Sequence, residues 1–440
     1  MFKLSSIGKA VTQALNAAPD VDELSKSLGT PSVEPRLVAE YGGVHGATCL
    51  DYDPTQRVLA VGVDVGVKIL GADGLEALLP TLHHVEPALS VEFVPSTARV
   101  ARLSVEGGVD VWYLRPQTIL ASTRWPEELT VARGVPGTPF FFLGEASGVM
   151  RVAAVQAGGD GGVLAPRSYA VAPGAARPDE PDARAALVAI EPRPGAEHAR
   201  VLLAYADGAL TLWDLRRAEP AAVAAASASR EGAAADAAWV GGGGDALATA
   251  HETGAVVLWT VPSEAALTRA ERGAPQLIVP TCTIRPGSAT SPGEDSPSTN
   301  PARRVVARAL GGPGAPFRES SSASSSPSAS TSASQQTSSR IGGVLAVLGG
   351  EPAGRPDPPW LTPLGPRANA PAERAATATL PWNGPTRDAR LAPPRGRPEE
   401  VEAVVVLSEG GQIHVHDARG LWDAPGGEGS EVPELSLIHI

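Results

Sequence analysis

The chain has 440 residues, 43% of them apolar, enough to bury the core of one large domain or two small ones. A formal charge of −12 excludes indiscriminate attraction to nucleic acid or to an anionic membrane, and two cysteines, Cys49 and Cys282, build neither a disulfide framework nor a cysteine-rich zinc site. Aromatic residues are scarce at 4%, while 48 Gly and 42 Pro favour many turns over long helices, so an all-β fold is the first expectation.

The chain opens with MFKLSSIGKAVTQALNAA, which places Phe2, Leu4, Ile7, Val11 and Leu15 at helical spacing, with Lys3 and Lys9 and no acid before Asp20. Three readings stand for residues 1–35: a helix docked on the body of the protein, a weak interfacial membrane contact, or a transit peptide of the basic, Ser-rich, acid-poor class. No run of about 18 apolar residues occurs, so no transmembrane segment is expected. Without an Asn-x-Ser/Thr sequon, and with so few cysteines, the composition points to a reducing, cytoplasmic compartment.

From residue 36 onward one unit recurs: a short apolar strand, a turn, a second apolar strand, then a glycine and an alternating strand that often ends in Trp or Asp. It reads VLAVGVDVGVKIL (58–70), ARLSVEGGVDVWYL (101–114), FFFLGEASGVMRV (140–152), VLLAYADGALTLWDL (201–215), ALATAHETGAVVLWTV (246–261) and VVVLSEGGQIHVHD (404–417). The hairpin glycines are read as Gly66, Gly108, Gly148, Gly208, Gly254 and Gly411. The first three stand 42 and 40 residues apart, and Gly208 and Gly254 46 apart, close to the period of roughly 40 to 45 residues of a WD40 blade. A four-stranded blade cannot bury both faces alone, so such units stack around an axis as a β-propeller. Trp112, Trp213 and Trp259 are expected to pack between blades. Six units are visible, and a seventh is expected near IGGVLAVLGGEP (341–352).

Blades are therefore expected in 36–285 and again in 341–440. Between them, residues 286–340 are dominated by Ser, Pro, Thr, Gly and Ala, and read as a disordered insertion that buries too little to offset its ordering entropy. Arg303, Arg304 and Arg308 lie on it, as part of a solvated loop or of a contact tuned by phosphorylation. Residues 352–398, rich in Pro, Ala and Arg, read as a second long loop.

No catalytic constellation is legible. His83 and His84 are adjacent, so on a strand they would point to opposite faces; His414 and His416 share a face but lack a third ligand nearby. Asp51 and Asp53 share a face without a visible pocket partner, and GGGGD (241–245) lacks the Gly-Lys-Ser/Thr of a phosphate loop. No catalytic, cofactor or metal residue is assigned, and the chain reads as a binding scaffold.

The stretch YGGVHGATCLDYDPTQRVLAVGVDVGVKILGADGLEALL (41–79) resembles the first blade of the lethal giant larvae and tomosyn family of double-propeller proteins. Those proteins begin with Tyr-Gly, continue with Asp-Pro-x-Gln-Arg-Leu-Leu-Ala-[Ile/Val]-Gly-Thr, and follow with Gly-x-[Ile/Val]-Lys and Gly-[Val/Ile]-Glu. The matching residues are Tyr41, Gly42, Asp53, Pro54, Gln56, Arg57, Ala60, Gly62, Gly66, Lys68, Gly74 and Glu76. Val63 stands where the pattern has Thr, and the hairpin after it is one residue short. The family generally continues into a second propeller, and tomosyns into a SNARE-like heptad segment, so a chain ending at ELSLIHI is expected to be truncated.

The resemblance implies a regulator of vesicle exocytosis that binds syntaxin-type SNARE proteins and, in some members, Rab GTPases, with peripheral attachment at the plasma membrane open and no nucleic-acid partner. It assigns no contact residues. A generic WD40 scaffold in another complex, a ubiquitin ligase or a signalling assembly, is the alternative.

Overall fold

The computed structural model describes residues 36–41, 43–71, 74–156, 158, 162–240, 243–285, 301–309, 343–350, 359–364, 378–380, 385–393 and 401–418. The expectations placed on residues 1–35 and on the chain end fall outside them. The described residues lie in a compact unit, Glu34–Ile440, and form seven sheets of a β-propeller, antiparallel but for one short added strand.

Blade 1 runs from Cys49–Asp53 at the axis to Glu76–Pro80 at the rim, blade 2 from Ala88–Val94 to Thr118–Arg124, and blade 3 from Leu129–Gly134 to Val163–Val171. Blade 4 runs from Leu187–Pro192 to Glu219–Ala224, blade 5 from Ala234–Trp239 to Val279–Ile284, and blade 6 from Arg304–Ala309 to Ala378–Thr379. Blade 7 contributes Thr386–Ala392, Ala403–Ser408 and Ile413–Asp417, and Arg36–Tyr41 returns from the other end of the chain as its rim strand. Each innermost strand contacts those of the two neighbouring blades, and the seventh contacts the first, so the ring closes.

Strand alternation explains the packing. In Val58–Val63 all six residues are buried, because both faces of the blade meet a neighbour. Leu59, Val61 and Val63 join Val405, Leu407 and Val415 of blade 7, whereas Val58 and Ala60 join Val91, Phe93 and Trp112 of blade 2. The same division repeats around the ring as one apolar cluster per junction. Trp112, Trp213 and Trp259 are buried in these junctions as expected.

Three local readings change. Residues 286–340 contain the strand Arg304–Ala309, the innermost strand of blade 6, so the arginines at 303 and 304 belong to the propeller. Ala302 and Val305 are buried in a short apolar alternation that the surrounding Ser and Pro conceal in a composition window. The stretch 352–398 likewise holds Trp360–Leu364, Ala378–Thr379 and Thr386–Ala392, and Trp360 is fully buried against blade 5. In blade 2 the left-handed turn residue is Gly107 (φ +81°), not Gly108; a Cβ on Gly108 would stand 2.6 Å from the His84 ring.

Blade 5 carries an excursion the repeat does not foretell. After Val256–Thr260 the chain forms a helical turn, Glu264–Arg269, whose first turn is capped by Ser263 Oγ accepting from the Ala266 amide at 3.3 Å. It then adds Gln276–Leu277 in parallel to the rim of blade 4 before returning as Val279–Ile284.

Candidate interaction surface

Apart from Tyr41 in the closing strand of blade 7, the matched residues among those described gather in blade 1, but as framework. Tyr41 ends the closing strand, opposite Ile413, and Gly42 lies outside the described residues. Asp53 organises the turn that Pro54 opens: Oδ1 accepts from the Thr55 and Gln56 amides at 2.7 and 3.2 Å, and Oδ2 from Gln56 Nε2 at 2.8 Å. Arg57 closes that turn in the left-handed region at φ +57°. Ala60 and Gly62 face blade 2, where a Cβ on Gly62 would stand 2.5 Å from Cys49 Sγ and 2.8 Å from the Ala88 Cβ. Gly66 opens the next strand, and Lys68 on that strand pairs with Glu76 at 2.5 Å, beyond the turn that contains Gly74. Turn chemistry, close approach and a strand-to-strand ion pair account for these residues.

Sequence reasoning missed a belt of charge around the axis, signalled by one or two charged residues in otherwise small or apolar innermost strands. Asp388 Oδ2 accepts from the Leu50 amide at 2.9 Å, Asp51 Oδ2 from Phe93 at 2.8 Å, Glu92 Oε2 from Gly134 at 3.3 Å and Asp236 Oδ2 from Val305 at 3.1 Å. Each carboxylate thus satisfies a backbone donor on the next blade's inner edge, which has no strand to pair with. Arginines complete the belt: Arg390 bridges Asp51 and Asp388 at 2.9 Å each, Arg304 reaches Asp388 at 3.2 Å, and Arg133 lies 2.6 Å from Glu191 and 3.6 Å from Glu92.

Burial pushes the Glu92 carboxyl up to about 8, which Arg133 does not offset because it sits closer to Glu191. Burial also raises Glu191 and Asp236. It works against the charge on Arg133 and Arg390, but the carboxylates beside them outweigh it and hold both guanidiniums above their ordinary range. Asp51 is therefore spent on stitching blades and is separated in role from Asp53.

A second concentration of charge lies between blades 1 and 2. Arg102 and Asp110 are both fully buried and pair at 3.0 Å. Asp110 also accepts from Thr81 Oγ1 at 2.9 Å and Ser122 Oγ at 2.6 Å. The guanidinium donates further to three backbone carbonyls: Asp64 at 3.0 Å, His84 at 3.1 Å, and Glu86. Blade 5 carries a neutral counterpart in which Trp259 Nε1 donates to Thr249 Oγ1 at 2.9 Å, Thr249 lies 2.8 Å from His251 Nε2, and His251 Nδ1 lies 3.1 Å from the Gly232 carbonyl.

The remaining candidates stay apart. His83 is exposed and His84 buried, on a connecting loop and not a strand. His414 and His416 share the face of blade 7 turned to blade 6 and are buried; burial, then His414, holds His416 down to about 4. Cys49 is buried, with its thiol pushed up to about 11 by burial, and both cysteines are free. Among the described residues no group of three His, Cys, Asp or Glu could hold a metal ion, and no helix is long and apolar enough to cross a membrane. A cavity of about 120 Å³ between blades 7 and 1, lined by Leu59, Leu70, Leu75 and Ile413, is smaller than the roughly 300 Å³ at which small-molecule sites begin.

Fold and geometry define the class: a seven-bladed WD40-type β-propeller. No family model matches the chain. The β-propeller domain of Cps50 (Swd1) from Myceliophteria thermophila superimposes with a TM-score of 0.60 at 13% identity, covering 87% of this chain and 99% of that one. A chain of the mitotic checkpoint complex gives 0.56 at 12%, covering 88% and 96%.

By sequence, the chain is similar to LLGL scribble cell polarity complex component 2, a lethal giant larvae homologue. Identity to the human protein is 24% over 268 residues, and to the zebrafish (Danio rerio) protein 26% over 265, which is 56% and 53% of this chain. The mouse protein is 32% identical over 100 residues, 22% of this chain. The matches span a quarter or less of those relatives' length. The lethal giant larvae resemblance is thereby supported over the N-terminal half of the chain.

Proposed function

We propose that the propeller is a non-enzymatic scaffold in vesicle exocytosis that binds syntaxin-type SNARE proteins, with Rab GTPases as further partners. The observation that carries this is the similarity to the lethal giant larvae homologues over more than half the chain. The architecture supports it, because the belt and the blade junctions consume the polar side chains that chemistry would need, leaving loops on a rigid ring as the working surface. A cytoplasmic location with peripheral contact at the plasma membrane goes with that reading.

Co-precipitation of the purified chain with cytosolic syntaxin domains tests it. Specific retention of a syntaxin-type SNARE is expected. Absence of any SNARE or Rab association would sink the proposal. A second reading, a scaffold in another assembly, is favoured by the relatives' own description as a cell polarity complex component. Reproducible recovery of polarity proteins without SNAREs would establish it instead.

A further inference from the structure

An exposed apolar patch occupies the face of blades 1 and 2 where their hairpins and connecting loop meet. Val65 sits in the hairpin of blade 1, Leu82 and Val85 in the connection, Leu89 at the start of blade 2's inner strand and Val105 in its hairpin, each 41–67% exposed. Backbone bonds join these segments: Thr81 donates to the Val65 carbonyl at 3.0 Å, Glu86 to Asp64 at 3.0 Å and Val105 to Pro87 at 3.1 Å. Single exposed apolar residues are ordinary, but five on three segments tied to one another form a contiguous surface.

Two features say what this surface takes. Arg102 holds the segments from beneath through the Asp64, His84 and Glu86 carbonyls, so the patch is set before any partner arrives and little ordering cost remains. Its surroundings are acidic. Asp64 and Glu106 stand in the two hairpins, and Glu127 and Glu128 in the connection that leaves blade 2, while Arg124 is engaged by Glu86 and Glu106, and Arg151 by Glu145 and Glu127. An anionic lipid surface would be repelled, and a two-fold contact between copies would set acid against acid.

We propose that this face is a docking surface for an amphipathic helix of a partner protein, whose apolar stripe covers Val65, Val85 and Val105 and whose flanks carry Lys or Arg. The surface follows from the geometry and does not require the partner to be a SNARE. Such a helix would be read through its i, i+3, i+4 and i+7 positions, with the acidic loops setting orientation and on-rate.

Fluorescence anisotropy on the full chain tests it with two synthetic helices of about 18 residues, roughly five turns, sharing one Leu stripe but flanked by Lys in one and by Glu in the other. The Lys-flanked helix is expected to bind and to weaken with salt, and the Glu-flanked one to bind at least about tenfold more weakly. Val85→Asp with Val105→Asp should cost the Lys-flanked helix about tenfold or more, whereas Val163→Asp, exposed at the rim of blade 3, should leave it unchanged. Glu106→Lys with Glu128→Lys should weaken it without altering thermal stability. Equal binding of the two helices, or indifference to the paired Val substitutions, overturns the proposal. So does a wild-type dimer that Val85→Asp dissociates, or binding to phosphatidylserine vesicles lost in the same variant.

Discussion

Blades 2 and 5 place different side chains at the same point of the repeat, two residues before the end of the second strand. In blade 5 it is Thr249, which passes a hydrogen bond from Trp259 to His251 with no charge involved. In blade 2 it is Arg102, a buried guanidinium that requires Asp110 and three carbonyls to satisfy it. A neutral relay adds a modest net gain per bond, whereas a buried ion pair is costly to desolvate and close to neutral as a whole. What the charged version adds is reach: its planar fork spans two segments outside its own blade, the blade 1 hairpin and the connecting loop. The charged junction thus builds a rigid surface, and the neutral one only joins strands.

The largest expected effect follows from removing one half of the charged junction. Arg102→Met leaves the buried Asp110 carboxyl without its counter-charge and three carbonyls without their donor, so unfolding free energy in urea should fall by about 3–5 kcal/mol. Adding Asp110→Asn should recover part of that loss because no lone charge is left; if the double variant were no better than the single one, the ion pair would not be the governing interaction.

The buried histidines give the next effect. Burial lowers His251 and holds His416 at about 4, so the folded state refuses protons that the unfolded chain accepts near 6.5. Their contribution is present above about 6.5 and is lost as pH falls toward 4. For His416 this amounts to roughly 3 kcal/mol. His416→Leu should flatten the stability profile across that window, and an unchanged slope would place the titration elsewhere.

Thr249→Val, which breaks the neutral relay, should cost about 1–2 kcal/mol and leave the blade 1 and 2 surface intact, as read by binding of the Lys-flanked helix. A loss as large as that of Arg102→Met would erase the contrast between the two blades. The smallest effect is expected from excising residues 320–339, because loop-closure entropy changes by only about 0.6 kcal/mol per doubling of length. The melting temperature should move by no more than about 2 °C. Extending the deletion back to residue 288 removes Arg304–Ala309 and should abolish soluble protein.

The repeat was legible along the chain because each blade buries both faces, leaving uninterrupted apolar strands such as VLAVGV and VLLAY punctuated by hairpin glycines. Period and fold class follow from that local pattern, whereas the resemblance of blade 1 to the lethal giant larvae family rests on particular residues such as Asp53, Pro54, Gln56 and Arg57. Arg304–Ala309 and Trp360–Leu364 were hidden because Ser-, Pro- and Ala-rich neighbours dominate any composition window, while a strand needs only a few alternating residues. Arg102 and Glu92 gave only an ambiguous local sign of their roles, since a charge in a strand is equally consistent with a solvated edge. Only the stacking of blades decided them: it set Arg102 against carbonyls from 16 to 38 residues away, and closing the ring set Asp388 beside an amide 338 residues distant. Local sequence dictates strands and turns through sterics and side-chain alternation, but which polar groups end up buried together depends on which blades become neighbours, and that is a property of the closed ring alone.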